Sequence, residues 1–366
     1  MRGVLCLEDG FFVRGELLNY TAETAGEVVF FTGMTGYEEA LTDPSYCGQI
    51  LVFTFPMIGN YGLPAGSGQS SRMMVRGLVA RDIWESPAGY DGVKSLGRGL
   101  LDDSRPAIYG LDTRELVLHL REHGCKKGVI AALPEGGLVP SEIARLTAKA
   151  ARFDMKRVVE EVACQEVSVE GNQDSPRGTC VLLDFGTKTG ITTELLAMGY
   201  RLVRVPPETP AAAVLAWAPD CVVFANGPGD PEDNLQAIET ARSLIGEVPV
   251  FGICLGHQII AKAAGARIIK LKYGHHGANH PVKDLVTGRA FVTSQNHNYA
   301  VDGPSLPAGV SITHLNLNDG TVEGLEIRQK AGGKVLAASV QFHPEGAPGP
   351  AYRQFWARLE GGYVHA

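Results

Sequence analysis

Apolar and polar positions alternate in two different rhythms along this chain. Up to about residue 54, short apolar runs at residues 3–7, 11–17, 27–31 and 49–54 are separated by Gly, Asp and Pro. Runs of that length and spacing predict an antiparallel or mixed sheet. A helix is predicted over residues 114–123, with Asp112 and Glu115 placed as a capping box and Gly124 as its stop. A second helix is expected from Ser141 to about Arg152. Between Glu160 and Gly178 the sequence turns polar, which predicts a domain boundary. Beyond it, apolar strands at 180–183, 201–205, 221–224, 248–253 and 267–271 alternate with helical stretches at 191–198, 210–217, 235–245 and 255–264. Strand–helix alternation with short links predicts a parallel α/β sheet. From residue 281 to 342 the pattern becomes hairpin-like, and a closing helix is expected near 352–359. The expected class is therefore α/β: an N-terminal mixed, β-rich α+β domain over residues 1–155, a linker over 156–177 and a parallel-sheet α/β domain over 178–366.

Composition narrows the function. The 366 residues are 45% hydrophobic, enough for real cores, and 20% charged, with a net charge of −7. That balance argues against a nucleic-acid binder that depends on neutralising phosphates. The N-terminus reaches Glu8 and Asp9 before a signal-peptide core could form, and no apolar run approaches the ~20 residues of a membrane span. Cysteines at 6, 47, 125, 164, 180, 221 and 254 are odd in number, scattered and without a Cys-x-x-Cys pair. A disulfide framework or zinc site is not expected, and the location expected is cytoplasmic.

The most informative segment is Val248-Pro249-Val250-Phe251-Gly252-Ile253-Cys254-Leu255-Gly256-His257-Gln258. An apolar strand runs straight into a helix, with cysteine at the junction and glycine two residues to either side. This is a nucleophile elbow with cysteine in place of serine. The turn is sharp enough that side chains at the flanking positions would collide with backbone. A cysteine there lies at a helix N-terminus, where the macrodipole favours a thiolate. A thiol nucleophile needs a base and a group to orient it. His343 follows the apolar run 335–342, and in an extended strand Glu345 would share its face. An oxyanion hole is expected from the Leu255 N–H and from Asn226-Gly227-Pro228-Gly229-Asp230, which follows another strand end.

Other patterns are discounted. Asp184-Phe185-Gly186 lacks the companion motifs of a kinase, and Gly186-Thr187-Lys188-Thr189 lacks the spacing of a phosphate-binding loop. His275, His276 and His280 have no clustered acidic or cysteine partner in sequence, so a structural role is favoured over a metal site. No ATP cradle is legible, and no cofactor is expected in this chain.

Taken together, 251–258, 226–230 and His343-Pro344-Glu345 resemble the class I (triad-type) glutamine amidotransferases. The stretches 272–282, 294–301 and 33–46 resemble, more narrowly, the small subunits of carbamoyl-phosphate synthetases. The resemblance implies a class I glutamine amidotransferase domain over 178–366, with Cys254, His343 and Glu345 as the catalytic set and a γ-glutamyl thioester on Cys254. Carried over by position, it implies glutamine contacts at Ser45, Gly227, Gly229, Leu255, Gln258, Asn296, Asn298 and Tyr299. Asn298 and Tyr299 stand where the family often has glycine and phenylalanine; backbone contacts would tolerate both, and Asn accepts positive φ well. Ser45 implies a pocket at an interdomain cleft. The implied partner is a carbamoyl-phosphate synthetase large subunit carrying ATP and Mg and receiving ammonia. Two other readings stay open: an amidotransferase subunit of another synthetase, and a catalytically silent regulatory subunit.

Overall fold

The computed structural model describes residues 1–20, 22–87, 93–174, 176–329, 333–346 and 355–357. The chain divides into two compact units, Met1–Met155 with Lys272–His276, and Lys156–Leu271 with Gly277–Ala366.

In the first unit the strands are β1 (Arg2–Leu7), β2 (Phe12–Leu18), β3 (Thr24–Phe31), β4 (Gln49–Phe53), β5 (Met57–Ile58), β6 (Gly77–Val79), β7 (Asp82–Ile83), β8 (Ala107–Tyr109) and β9 (Lys126–Ala132). The helices are α1 (Tyr37–Thr42), α2 (Leu96–Asp102), α3 (Thr113–His123) and α4 (Pro140–Ala151). Seven strands close a barrel in the order β1-β2-β8-β6-β4-β3-β9. The expected sheet is thus mixed: β3, β4, β6 and β8 run parallel, while β1, β2 and β9 pair antiparallel. Strand β4 reads as an unbroken apolar run because both its faces are buried, Ile50 and Val52 in one core cluster and Leu51 and Phe53 in another. Helix α4 lays Leu146 and Ala150 over Val4, Cys6, Val129 and Ala131. Asp112 caps α3 by accepting the N–H groups of Arg114 and Glu115 at 3.0 Å each, and Gly124 ends it at φ 87°. The segment Lys272–His276 joins this unit: the Cys125 N–H donates to the Lys272 carbonyl (2.8 Å), the Thr32 N–H to the His276 carbonyl (2.9 Å), and Tyr273 packs against Phe30.

The second unit adds β10 (Ser168–Glu170), β11 (Thr179–Leu183), β12 (Arg201–Val205), β13 (Cys221–Phe224), β14 (Val250–Ile253), β15 (Ile268–Asp284), β16 (Ala290–Val301), β17 (Val310–Asn316), β18 (Val322–Arg328) and β19 (Val335–Val340). Its helices are α5 (Thr189–Ala197), α6 (Ala211–Leu215), α7 (Leu235–Leu244) and α8 (Leu255–Ala263). The sheet order is β10-β12-β11-β13-β14-β19-β18-β16-β15-β17. Strands β12, β11, β13, β14 and β19 form the parallel centre, and the hairpin-like region continues it antiparallel from β18 outward. The polar stretch expected as a linker contributes β10, whose Val169 pairs with Val203 at the sheet edge. Of the closing helix expected near 352–359, only residues 355–357 are described, and these are helical.

Candidate active site

Cys254 occupies the junction of β14 and α8 with φ 53° and ψ −102°. This is a costly backbone conformation for a residue with a Cβ, and the surroundings hold it there. The Cys254 N–H donates to the Val340 carbonyl of β19 (2.9 Å), and the Gly256 N–H to the Ala225 carbonyl (3.0 Å). The flanking glycines are obligatory. A Cβ on Gly256 would lie 2.0 Å from the Phe224 carbonyl oxygen, and one on Gly252 2.7 Å from the Gly256 carbonyl. Leu255 is the first helical residue, so its N–H has no acceptor within the helix.

Strand β19 lies parallel beside β14, with Ile253 opposite Val340. Cys254 and His343 therefore emerge from the same end of neighbouring strands. Ser294 of β16 holds His343 in place, accepting its N–H at 2.9 Å. The His343 Nδ1 lies 2.7 Å from Glu345 Oε1. The route differs from the one expected: residues Pro344–Gly346 form a 3₁₀ turn instead of continuing the strand, and the turn brings the carboxylate back to the ring. Facing a carboxylate, Nδ1 carries the proton, and Nε2 is left as the basic nitrogen. Nε2 is buried with no hydrogen-bond partner among the described residues. Glu345 is fully buried, which by itself would raise its pKa; the His343 ring and the Lys188 ammonium, 3.4 Å from Oε1, outweigh this and hold it down to about 2.

The loops beside the elbow are braced from within. Asn226 accepts the Lys188 N–H (3.1 Å) and donates to the Gly186 carbonyl (3.0 Å), tying the 226–230 loop to the 184–188 loop. Asp184, the first residue of the kinase-like triplet, accepts the Gly186 and Thr187 N–H groups at 2.8 and 2.7 Å and so shapes that second loop. Gly227 is packed against Phe185, and Gly229 has φ 88°.

Asn296 and Asn298 lie on β16 with Tyr299, and the Cys254 thiol donates to the Asn296 carbonyl at 3.5 Å. Asn298 is not among the described residues with positive φ, so the extended strand itself accommodates it where the family often has glycine. The Gln258 amide donates to the Tyr299 carbonyl (2.9 Å) and to Gln341 Oε1 (3.0 Å). Ser45 belongs to the first unit, in the 3₁₀ turn Pro44–Tyr46, where Asp43 accepts its N–H. His276, also in the first unit, packs its ring against Tyr46.

Two residues that touch the candidate site carried no expectation from the sequence. Gln341 donates from Nε2 to the Cys254 sulfur at 3.6 Å, and its place two residues before His343 on an apolar run was the available signal. Lys188 carried no local signal, because its role depends on a partner 157 positions away, at Glu345.

A strained thiol elbow and an imidazole with its orienting carboxylate are the groups a thiol-dependent acyl-transfer site requires. Residues 181–358 match the family described as Glutamine amidotransferase class-I, and residues 5–130 match Carbamoyl-phosphate synthase small chain, CPSase domain. The chain is 47% identical to the carbamoyl phosphate synthase small chain of Symbiobacterium thermophilum, covering 95% of both chains. It is 45% identical to that of Bacillus caldolyticus (96% of this chain, 93% of the relative) and 41% identical to that of Aquifex aeolicus (95% and 94%). The chain belongs to the carbamoyl phosphate synthase small-chain family.

Proposed function

We propose that this chain is the glutaminase subunit of a carbamoyl-phosphate synthetase. Cys254 Sγ attacks the side-chain carboxamide carbon of glutamine while His343 Nε2 takes the thiol proton. The tetrahedral oxyanion is met by the N–H groups of Leu255 and Gly229. His343 returns the proton to the departing nitrogen, ammonia leaves, and a γ-glutamyl thioester remains. Water activated by the same nitrogen then releases glutamate. Glu345 holds the imidazole in the tautomer this requires, and Lys188 balances the Glu345 charge. Glutamine is held by Ser45, Gly227, Gly229, Leu255, Gln258, Asn296, Asn298 and Tyr299.

The partner is a large subunit that binds ATP and Mg and makes carbamoyl phosphate from bicarbonate, in a cytoplasmic assembly serving arginine and pyrimidine synthesis. Ammonia released into neutral water would be protonated and lose its nucleophilicity, which is the physical reason to pass it on enclosed. No helix among the described residues is long and apolar enough to cross a membrane.

The observation that carries the proposal is the oriented, buried His343–Glu345 pair next to an elbow cysteine. Cys254→Ser should abolish glutamine-dependent synthesis by the assembled enzyme and leave synthesis from free ammonia largely intact. Normal glutamine hydrolysis by that variant would sink the nucleophile assignment.

A further inference from the structure

Beside the strand that faces Cys254 lies a buried carboxylate–histidine pair that the mechanism above does not use. Glu323 of β18 is 0% exposed, and its Oε1 lies 3.8 Å from His297 Nε2 on β16. Burying a carboxylate costs several kcal/mol, and well-packed apolar side chains often serve stability better. The pair therefore calls for a reason beyond fold stability.

The surrounding hydrogen bonds set the protonation of the ring. Thr293 donates its hydroxyl to the His280 carbonyl (2.9 Å), so its oxygen accepts the Gln295 Nε2 (3.1 Å). That orients Gln295 with Oε1 toward His297 Nε2, at 3.3 Å. Asn316 donates to the same Oε1 (3.4 Å) and to Glu323 Oε1 (3.2 Å). His297 Nδ1 faces the Tyr299 carbonyl at 2.8 Å. Carbonyl, amide and carboxylate oxygens only accept, so the oxygens that face the two ring nitrogens are those a doubly protonated ring would satisfy.

The consequence falls on the strand. Between Asn296 and Tyr299, β16 presents one carbonyl to the Cys254 thiol and another to Gln258. The His297 ring, anchored to Glu323, grips this stretch through the Tyr299 carbonyl. Strand β18 also meets β19 here: the backbone carbonyl at position 323 accepts the N–H of Gln341 (2.9 Å), whose side chain touches Cys254.

We propose that Glu323 is a positioning residue for glutamine: as counter-ion to a His297 imidazolium it sets the strand whose carbonyls face Cys254 and Gln258. The inference rests on the glutaminase reading, since it concerns how that site is held.

The test uses the full chain assembled with the synthetase large subunit for kinetics, and the full chain labelled with ¹⁵N-histidine for spectroscopy. His297→Asn identifies the ring signal. The unaltered chain should show His297 with both nitrogens protonated at neutral pH. Glu323→Gln should convert it to a neutral tautomer and raise the KM for glutamine about tenfold with kcat within about twofold, the effect expected for losing one charged hydrogen-bonding partner. The Glu323→Gln/His297→Asn double variant should cost less than the sum of the single changes. Glu323→Asp, which keeps the charge, should restore part of the KM and serves if Glu323→Gln does not fold. A neutral His297 in the unaltered chain, or an unchanged KM in a folded Glu323→Gln, overturns the proposal. Failure of the unaltered assembly to hydrolyse glutamine would instead count against the glutaminase reading, leaving the ring signal to decide the pair.

Discussion

Glu345 shows how much a single side chain does here through its charge. Burial opposes its ionisation, yet the His343 ring and Lys188 hold its pKa down to about 2, below an ordinary value of 4.5. A carboxylate depressed on folding adds stability that is complete above its unfolded value and is lost as pH falls through the folded one. The window thus runs from about 4.5 down to about 2. Replacing Glu345 with Gln should cost on the order of 3 kcal/mol at neutral pH. That cost should shrink steadily below the upper edge of the window. Urea unfolding of both proteins across that range checks it; a difference that stays constant into the acid range would show that the charge is not what stabilises. Glutamine hydrolysis should fall in the same variant, since a neutral amide at 345 no longer selects the His343 tautomer with a basic Nε2.

At the level of elements, the site is made by junctions and not by strands or helices as such. The β14–α8 junction stores strain at Cys254, and β13 must pass close by for the Gly256 N–H to reach Ala225. A methyl group at Gly256 would meet the Phe224 carbonyl oxygen at 2.0 Å and its carbon at 2.6 Å, backbone that cannot swing aside as a side chain could. Gly256→Ala should therefore destabilise by about 3 kcal/mol or more, with glutamine hydrolysis lost even where the chain still folds. Thermal unfolding with an activity assay tests this, and a stable, active variant would mean the elbow is looser than its contacts imply. The neighbouring 184–188 loop is built differently, with one carboxylate, Asp184, organising several backbone donors. Its resemblance to a kinase triplet is thus loop geometry: the carboxylate is occupied by its own turn.

Over the whole molecule, the two units are not contiguous stretches of chain. Lys272–His276 pack with the first unit although they lie inside the strand β15 that belongs mostly to the second. A fragment of residues 1–155 lacks the Lys272 and His276 carbonyls that pair with Cys125 and Thr32, and the Tyr273 ring beside Phe30. It should unfold at lower denaturant concentration than the same unit within the full chain, as read by fluorescence or circular dichroism. Equal midpoints would show that the exchanged segment contributes nothing.

Local sequence was enough for whatever depends on neighbours in the chain. The Cys254 elbow was legible because the steric demand that requires Gly252 and Gly256 acts over two residues. The Asp112 and Gly124 caps were legible because a helix end is satisfied by the residues that flank it. The strand–helix rhythm of the second unit could be read because its apolar runs reach four or five residues. Strands β6 and β8, with three residues each, fall below any period that could be counted, and only their neighbours in the closed barrel make them strands. Tertiary structure decided the rest, because sheet order carries no trace in local pattern. Parallel pairing of β14 with β19 brings Cys254 and His343 out at the same end of the sheet, β16 supplies the Asn296 carbonyl facing the thiol, and β18 delivers Glu323 beside His297. The proposed nucleophile was thus legible in a few consecutive residues, while the charges around it are assembled from strands and loops far apart in the chain.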